Sequence, residues 1–154
     1  MFKLWPNRSG WSADCNEMTV SDDPKNAWHG GRARRWSHKK EMWANDYFTL
    51  HIKKPRVISR IKFFTELPRF PKKFKLYIRS CDDSNWEELG EYTDEDLDII
   101  LSPPRKLISL KVTITEPREE RWPNTGNPIA WSIYDIELTE VRLFGKWWRK
   151  VIGE

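Results

Sequence analysis

The chain has 154 residues, enough for one domain with a single substantial core. Its 27 basic and 23 acidic residues leave a mild net charge of +4, and no apolar run approaches the roughly 20 residues of a membrane-spanning helix. Two cysteines, Cys15 and Cys81, are too few for a disulfide framework or a zinc site, so two unpaired thiols are expected. The anomaly is ten tryptophans, more than one core would ordinarily bury.

Residues 1–16 are polar and broken by Pro6 and Gly10, with Trp5 and Trp11 standing out. They hold no hydrophobic stretch of signal-peptide length. The chain as given therefore reads as cytoplasmic, unless it is a piece of a longer secreted protein. Residues 17–20 predict a short first strand, and Ser21-Asp22-Asp23-Pro24 is turn chemistry, since Asp bonds nearby backbone and Pro fixes φ. Arg32, Arg34, Arg35, Lys39 and Lys40 form a basic run, read as a solvated loop in which Trp36 packs inward.

Residues 47–52 alternate Phe48, Leu50 and Ile52 with Tyr47, Thr49 and His51, the period-2 signature of a strand with one buried face. After an expected turn at Lys53-Lys54-Pro55-Arg56, residues 56–64 repeat the pattern with Val57, Ile61 and Phe63 on one side. Two prolines in residues 66–71 make that segment a loop. Phe74, Leu76 and Ile78 mark the next strand, and Asp82-Asp83-Ser84-Asn85 turns into Trp86 and Leu89. The acidic residues 91–98 are expected outside the core, and Ile99-Ile100-Leu101 is a short apolar run stopped by Pro103-Pro104. Ile108, Leu110, Val112 and Ile114 give the clearest strand of all. Residues 116–130 are irregular, with Pro117, Pro123, Gly126 and Pro128, and loops of this length tend to be functional or disordered. Ile133, Ile136, Leu138, Val141, Leu143 and Phe144 form a closing strand region before the basic, aromatic tail 146–150. Many short strands with no sustained helical periodicity argue for an antiparallel β-sandwich. Phe48, Leu50, Ile61, Phe74, Leu76, Ile78, Leu110, Val112 and Ile114 are its expected core.

Several segments together resemble the discoidin domain, also called the coagulation-factor type C domain. They are Asp23-Pro24-Lys25-Asn26-Ala27-Trp28-His29-Gly30, Trp36-Ser37, residues 46–52, Pro55-Arg56-Val57-Ile58-Ser59-Arg60-Ile61, Ser80 to Leu89 with Trp86, and Glu140-Val141-Arg142-Leu143-Phe144-Gly145. They lie in order and span most of the chain. The resemblance implies an all-β antiparallel jelly-roll sandwich of about eight strands, of the galactose-binding-like class. It also implies one domain over 1–154, with its core at about 15–146 and terminal extensions at 1–14 and 147–154. Trp28, Trp36 and Trp86 fall on its motif positions and are read as packing residues. Sugar-binding members often hold a structural calcium, for which a hard cation needs several oxygen ligands. Here His29 and Arg34 stand where the family has oxygen ligands and only Glu140 remains, so no metal and no cofactor is expected. The family's end-to-end disulfide is not implied, because no cysteine lies near the C-terminus.

No Gly-rich phosphate loop, His-x-x-x-His pair or Cys-x-x-Cys is present, and His29, His38 and His51 are isolated. His51 is read as a surface or hydrogen-bonded histidine. No particular carboxylate pair is marked, so the chain is read as a binding module and not an enzyme. Trp5, Trp11, Trp43, Trp122 and Trp131 lie in or beside irregular segments, where an indole can cover a sandwich end or stack on the apolar face of a pyranose. The expected site gathers the 116–130 loop with Trp11 and the Arg69 loop. Trp122 or Trp131 would stack on the sugar, with Arg69, Phe70, Arg121 and Asn124 beside it. Carbohydrate is the first partner expected. The alternatives are another protein in a cytoplasmic assembly, or nucleic acid or acidic lipid through Arg32 to Lys40 and the tail.

Overall fold

The computed structural model describes residues 2–4, 8–29 and 31–141. Trp5, Leu143, Phe144 and the tail 146–150 lie outside them. Nine strands carry the fold: β1 (Phe2–Leu4), β2 (Ser12–Cys15), β3 (Trp36–Glu41), β4 (Tyr47–Phe64), β5 (Lys73–Arg79), β6 (Glu87–Thr93), β7 (Asp98–Glu116), β8 (Ala130–Ile133) and β9 (Asp135–Val141). Every pairing is antiparallel. Among the described residues the one α-helix, α1 (Asn26–His29), is a single turn. The chain is an all-β antiparallel jelly-roll sandwich.

Two long, bent strands organise it. The turn expected at residues 53–56 is a register shift inside β4, and the stop expected at Pro103-Pro104 is a register shift inside β7. Between His51 and Arg56, β4 spends five steps while β7 spends two, from Ser109 to Leu107. Between Ile58 and Arg60, β7 spends five steps, from Arg105 to Ile100. Such bulges bend and twist a strand without ending it. The first arm of β4 and the second arm of β7 therefore join β2, β5 and β6 in one layer. Their other arms join β9 and β1. The bulge also resets the side-chain alternation, so Ile58 is fully buried where Val57 was expected and Val57 is half-buried.

The two layers meet over aromatic rings. Phe63 from the second arm of β4 meets Phe74 of β5 edge-on at 6.5 Å. Trp36 on β3 lies 4.8 Å from Phe48 and 5.1 Å from Trp131, and Trp131 lies 5.8 Å from Phe70. All nine expected core residues are buried. Residues 17–20 are a 3-10 turn instead of a strand: Glu17 takes a left-handed φ of 54°, and the Cys15 N–H turns to Met18 Sδ. Met18 and Val20 are left exposed. The acidic segment 91–98 is partly structural, because Tyr92 and Leu97 pack against the core. Cys15 is buried and Cys81 exposed, both as free thiols; burial raises the Cys15 pKa.

Candidate functional site

Four connections meet beyond the same end of the first layer, because Tyr47 pairs with Thr113 and Lys73 with Glu116. They are residues 42–46, 65–72, 94–97 and 117–129. Arg118 ties three of them together. Its Nε donates to the Phe70 carbonyl at 2.8 Å, one terminal nitrogen to Glu120 at 2.6 Å, and the other to Asp94. The 117–129 loop is thereby an ordered structure. Within it, the Gly126 N–H donates to the Trp122 carbonyl at 2.8 Å and the Trp122 N–H to the Asn127 carbonyl at 2.9 Å. Gly126 sits at φ 70°, which glycine adopts at no steric cost.

The exposed aromatic at this end is Trp43, 59% accessible. Its backbone is fixed even though its ring is free. The buried Asp46 carboxylate accepts from the Trp43 N–H at 3.0 Å, from Asn16 Nδ2 at 2.7 Å and from Lys40 Nζ at 2.6 Å. The Asn45 N–H donates to the Ile114 carbonyl at 2.8 Å. Trp43 borders a cavity of about 260 Å³, shared with Glu41, Arg118, Glu120, Arg121 and Pro128. Arg121 is held lightly, donating to the Gly126 carbonyl at 3.1 Å and lying 3.9 Å from Glu41. Both side chains of that pair are about half exposed, so the attraction is weak and both groups can turn to a ligand.

The expected site residues divide. Arg69, Trp122, Arg121 and Asn124 do share this end, with the Arg69 guanidinium 4.9 Å from the Trp122 ring centroid. Desolvation, and then the neighbouring Arg35, lower the Arg69 pKa. Trp122 is half-buried against the core, and Asn124 is exposed near the tip of the turn. Trp131 and Phe70 are corrected to core residues: each is at most 1% exposed and enclosed by rings, so neither offers a face to a ligand. Trp11 is corrected too. It is buried edge-on against Trp28 at 5.7 Å and precedes β2, whose Ser12 pairs with His51. That places it at the opposite end of the β4 arm from the 117–129 loop. Trp43, read from the sequence as one of the loop indoles but not among the expected site residues, has its ring turned outward, in keeping with the turn chemistry of Asn45-Asp46 two residues on.

Among the other motif residues, Trp36 packs as expected, while Trp86 is not a core residue. It lies half-buried beside Arg79 and Lys111. His51 is hydrogen-bonded, at 2.8 Å to Ser109 Oγ and 2.9 Å to Asp14. The three positions the resemblance would give to calcium do not fit a hard cation. His29 and Arg34 are exposed and supply no side-chain oxygen, and the Glu140 carboxylate lies 3.6 Å from the Arg56 guanidinium.

No family model matches the sequence, and no curated protein matches it. Solved structures do match its fold. The family 32 carbohydrate-binding module of NanJ from C. perfringens, solved with galactose, superposes with a TM-score of 0.69 at 15% identity, covering 91% of this chain and 100% of that one. An F5/8 type C domain from Bacteroides fragilis gives 0.66 at 12% identity, over 92% and 98%. The chain has the discoidin-type fold. A chitosan-binding module of a Paenibacillus sp. IK-5 chitosanase/glucanase gives 0.65 at 16% identity, over 84% and 94%. At these identities the discoidin-type fold is what is shared, and the function must be argued from the site.

Proposed function

We propose that this chain is a non-catalytic glycan-binding module whose ligand lies on Trp43. The observation that carries the reading is an exposed indole on a turn locked by Asp46, at the mouth of a charged cavity. A rigid ring suits the flat apolar face of a pyranose and loses little entropy on binding. Arg121, Glu41 and Asn124 supply donors and acceptors for hydroxyls, with the Arg69–Trp122 pair as a flanking wall. Two acids of the cavity, Glu41 and Glu120, lie beside Arg121 and Arg118, an arrangement for binding more than for proton transfer. Structural neighbours were solved with galactose and with GalNAc, which supports the same ligand class.

A glycan array followed by calorimetric titration tests this. Binding on the order of millimolar to micromolar, about −4 to −8 kcal/mol, is expected for so shallow a site. It should be insensitive to salt and lost in Trp43→Ala. A second reading, binding of nucleic acid or acidic lipid, has support in Arg32, which lies over the Tyr134 ring at 5.2 Å, and in Arg35 beside Arg69. A steep fall in affinity with salt would select that reading.

A further inference from the structure

The solvent face of the first layer carries a second concentration of rings and cations, none of which lines the cavity beside Trp43. On this face Tyr77 of β5 pairs with Lys111 of β7, and Arg79 with Ser109. The Lys111 ammonium lies 4.8 Å from the Trp86 ring centroid, 5.2 Å from Tyr77 and 6.0 Å from Tyr47. The Arg79 guanidinium lies 4.6 Å from the same Trp86 ring. None of these three rings belongs to the core or packs against it.

Neither cation has a carboxylate partner among the described residues. Asp14, on this face, is hydrogen-bonded to His51 at 2.9 Å, and its charge reaches Lys111 without forming an ion pair. Neighbouring Lys75 is occupied by Glu88 at 3.1 Å. Arg79 has a hydrogen bond of 3.3 Å to Ser109 Oγ, and its Nε is buried without a partner. Two half-buried like charges over one indole repel each other, and the ring contacts offset only part of that cost. Desolvation first, and then Arg79, lower the Lys111 pKa, against a smaller opposing pull from Asp14.

We propose that this face is a second binding surface, for a uronate-bearing polysaccharide, with Lys111 and Arg79 receiving a sugar carboxylate. A carboxylate there gains charge-assisted hydrogen bonds from both cations and relieves their repulsion. Tyr47 and Tyr77 flank the pair on neighbouring strands, where their rings can meet a pyranose and their hydroxyls can bond to it. A nucleic acid fits the face less well. The Trp86 ring is already in contact with both cations, and phosphate binding draws its strength from many contacts where this face offers two free charges.

The test is calorimetric titration of the whole chain with oligogalacturonate, with the same oligomer after carboxyl reduction, and with single-stranded oligothymidylate. Oligogalacturonate should bind both the native and the Trp43→Ala chain. The reduced oligomer, a neutral galactose chain that the loop-end site could take, should not bind the Trp43→Ala chain. In the Trp43→Ala chain, which lacks the loop-end platform, Lys111→Gln and Arg79→Gln should each weaken oligogalacturonate binding about tenfold or more. Two variants on different strands are used so that the outcome does not depend on one of them folding, and thermal melts check both. The proposal is overturned if native chain ignores oligogalacturonate, if the reduced oligomer binds the Trp43→Ala chain as well as oligogalacturonate does, or if a folded Lys111→Gln or Arg79→Gln variant of that chain binds oligogalacturonate undiminished. Tighter binding of oligothymidylate, lost in the same variants, overturns it in favour of nucleic acid. Loss of neutral-sugar binding in Trp43→Ala bears on the loop-end site alone, so the two readings fail separately.

Discussion

The Arg69 guanidinium covers the Trp122 indole at 4.9 Å, so the ring that the sequence marks as a sugar platform is already in use within the fold. Trp122 also packs against the core, while Trp43 does not. Trp122→Ala should therefore destabilise the chain by about 1–3 kcal/mol. Trp43→Ala should stay within about 0.5 kcal/mol of the native chain, as surface substitutions do. Urea denaturation of the two variants decides it; the reverse order would return Trp122 to the role of ligand platform.

Arg118 is predicted to hold the loop end together. Its side chain is only 12% exposed and faces Asp94, Glu120 and the Phe70 carbonyl at once. Removing it leaves the Asp94 carboxylate and a backbone carbonyl without their donor, which should cost about 2–5 kcal/mol for Arg118→Ala. Arg118→Lys should recover only part of this, because an ammonium cannot present the planar fork to three acceptors. Full rescue by lysine would mean that charge alone matters there.

Stability should fall as the solution is acidified through the histidine range, and His38 should account for part of it. The ring is 2% exposed, and its Nε2 lies 3.0 Å from Asn16 Oδ1. Desolvation is the main cause that lowers its pKa from the ordinary value of about 6.5. The unfolded chain therefore takes up the proton first as pH falls. The stabilising contribution is complete above about pH 6.5 and is lost as pH drops from there through the folded value. Denaturation midpoints of the native chain and His38→Gln should converge from pH 7 to pH 5. Parallel curves over that window would show that the proton goes elsewhere.

The sandwich and its core were legible because hydrophobic alternation reports directly which side of a strand is buried. What the pattern could not carry was continuity. Pro55 and Pro103-Pro104 read as strand ends, yet β4 and β7 absorb them in bulges, since each strand keeps partners on both sides of the bend. At the site, the sequence placed Arg69, Trp122, Arg121 and Asn124 at one end through loop chemistry alone. It could not separate Trp131 and Phe70 from Trp43, because an indole beside an irregular segment looks the same whether it turns inward or outward. Only the closure of the aromatic chain Trp36–Trp131–Phe70 decides that.

Calcium should leave the stability of the native chain unchanged. A discoidin-type fold raises the expectation of a structural ion, and the residues here argue against one. The Glu140 side chain is 9% exposed and lies 3.6 Å from the Arg56 guanidinium, so a fixed cation already stands beside the acid that the family motif would offer. His29 brings no oxygen, and Arg34 brings a positive charge instead of one. Thermal midpoints measured with excess calcium and with chelator should then agree within about 1 °C, because an ion that binds neither state shifts nothing. Arg56→Ala should behave differently from the native chain. It leaves the Glu140 carboxylate largely buried without that partner, at a cost of about 1–3 kcal/mol, and only in that variant could calcium restore part of the loss. A rise of many degrees with calcium in the native chain would show that backbone carbonyls build a site without these side chains.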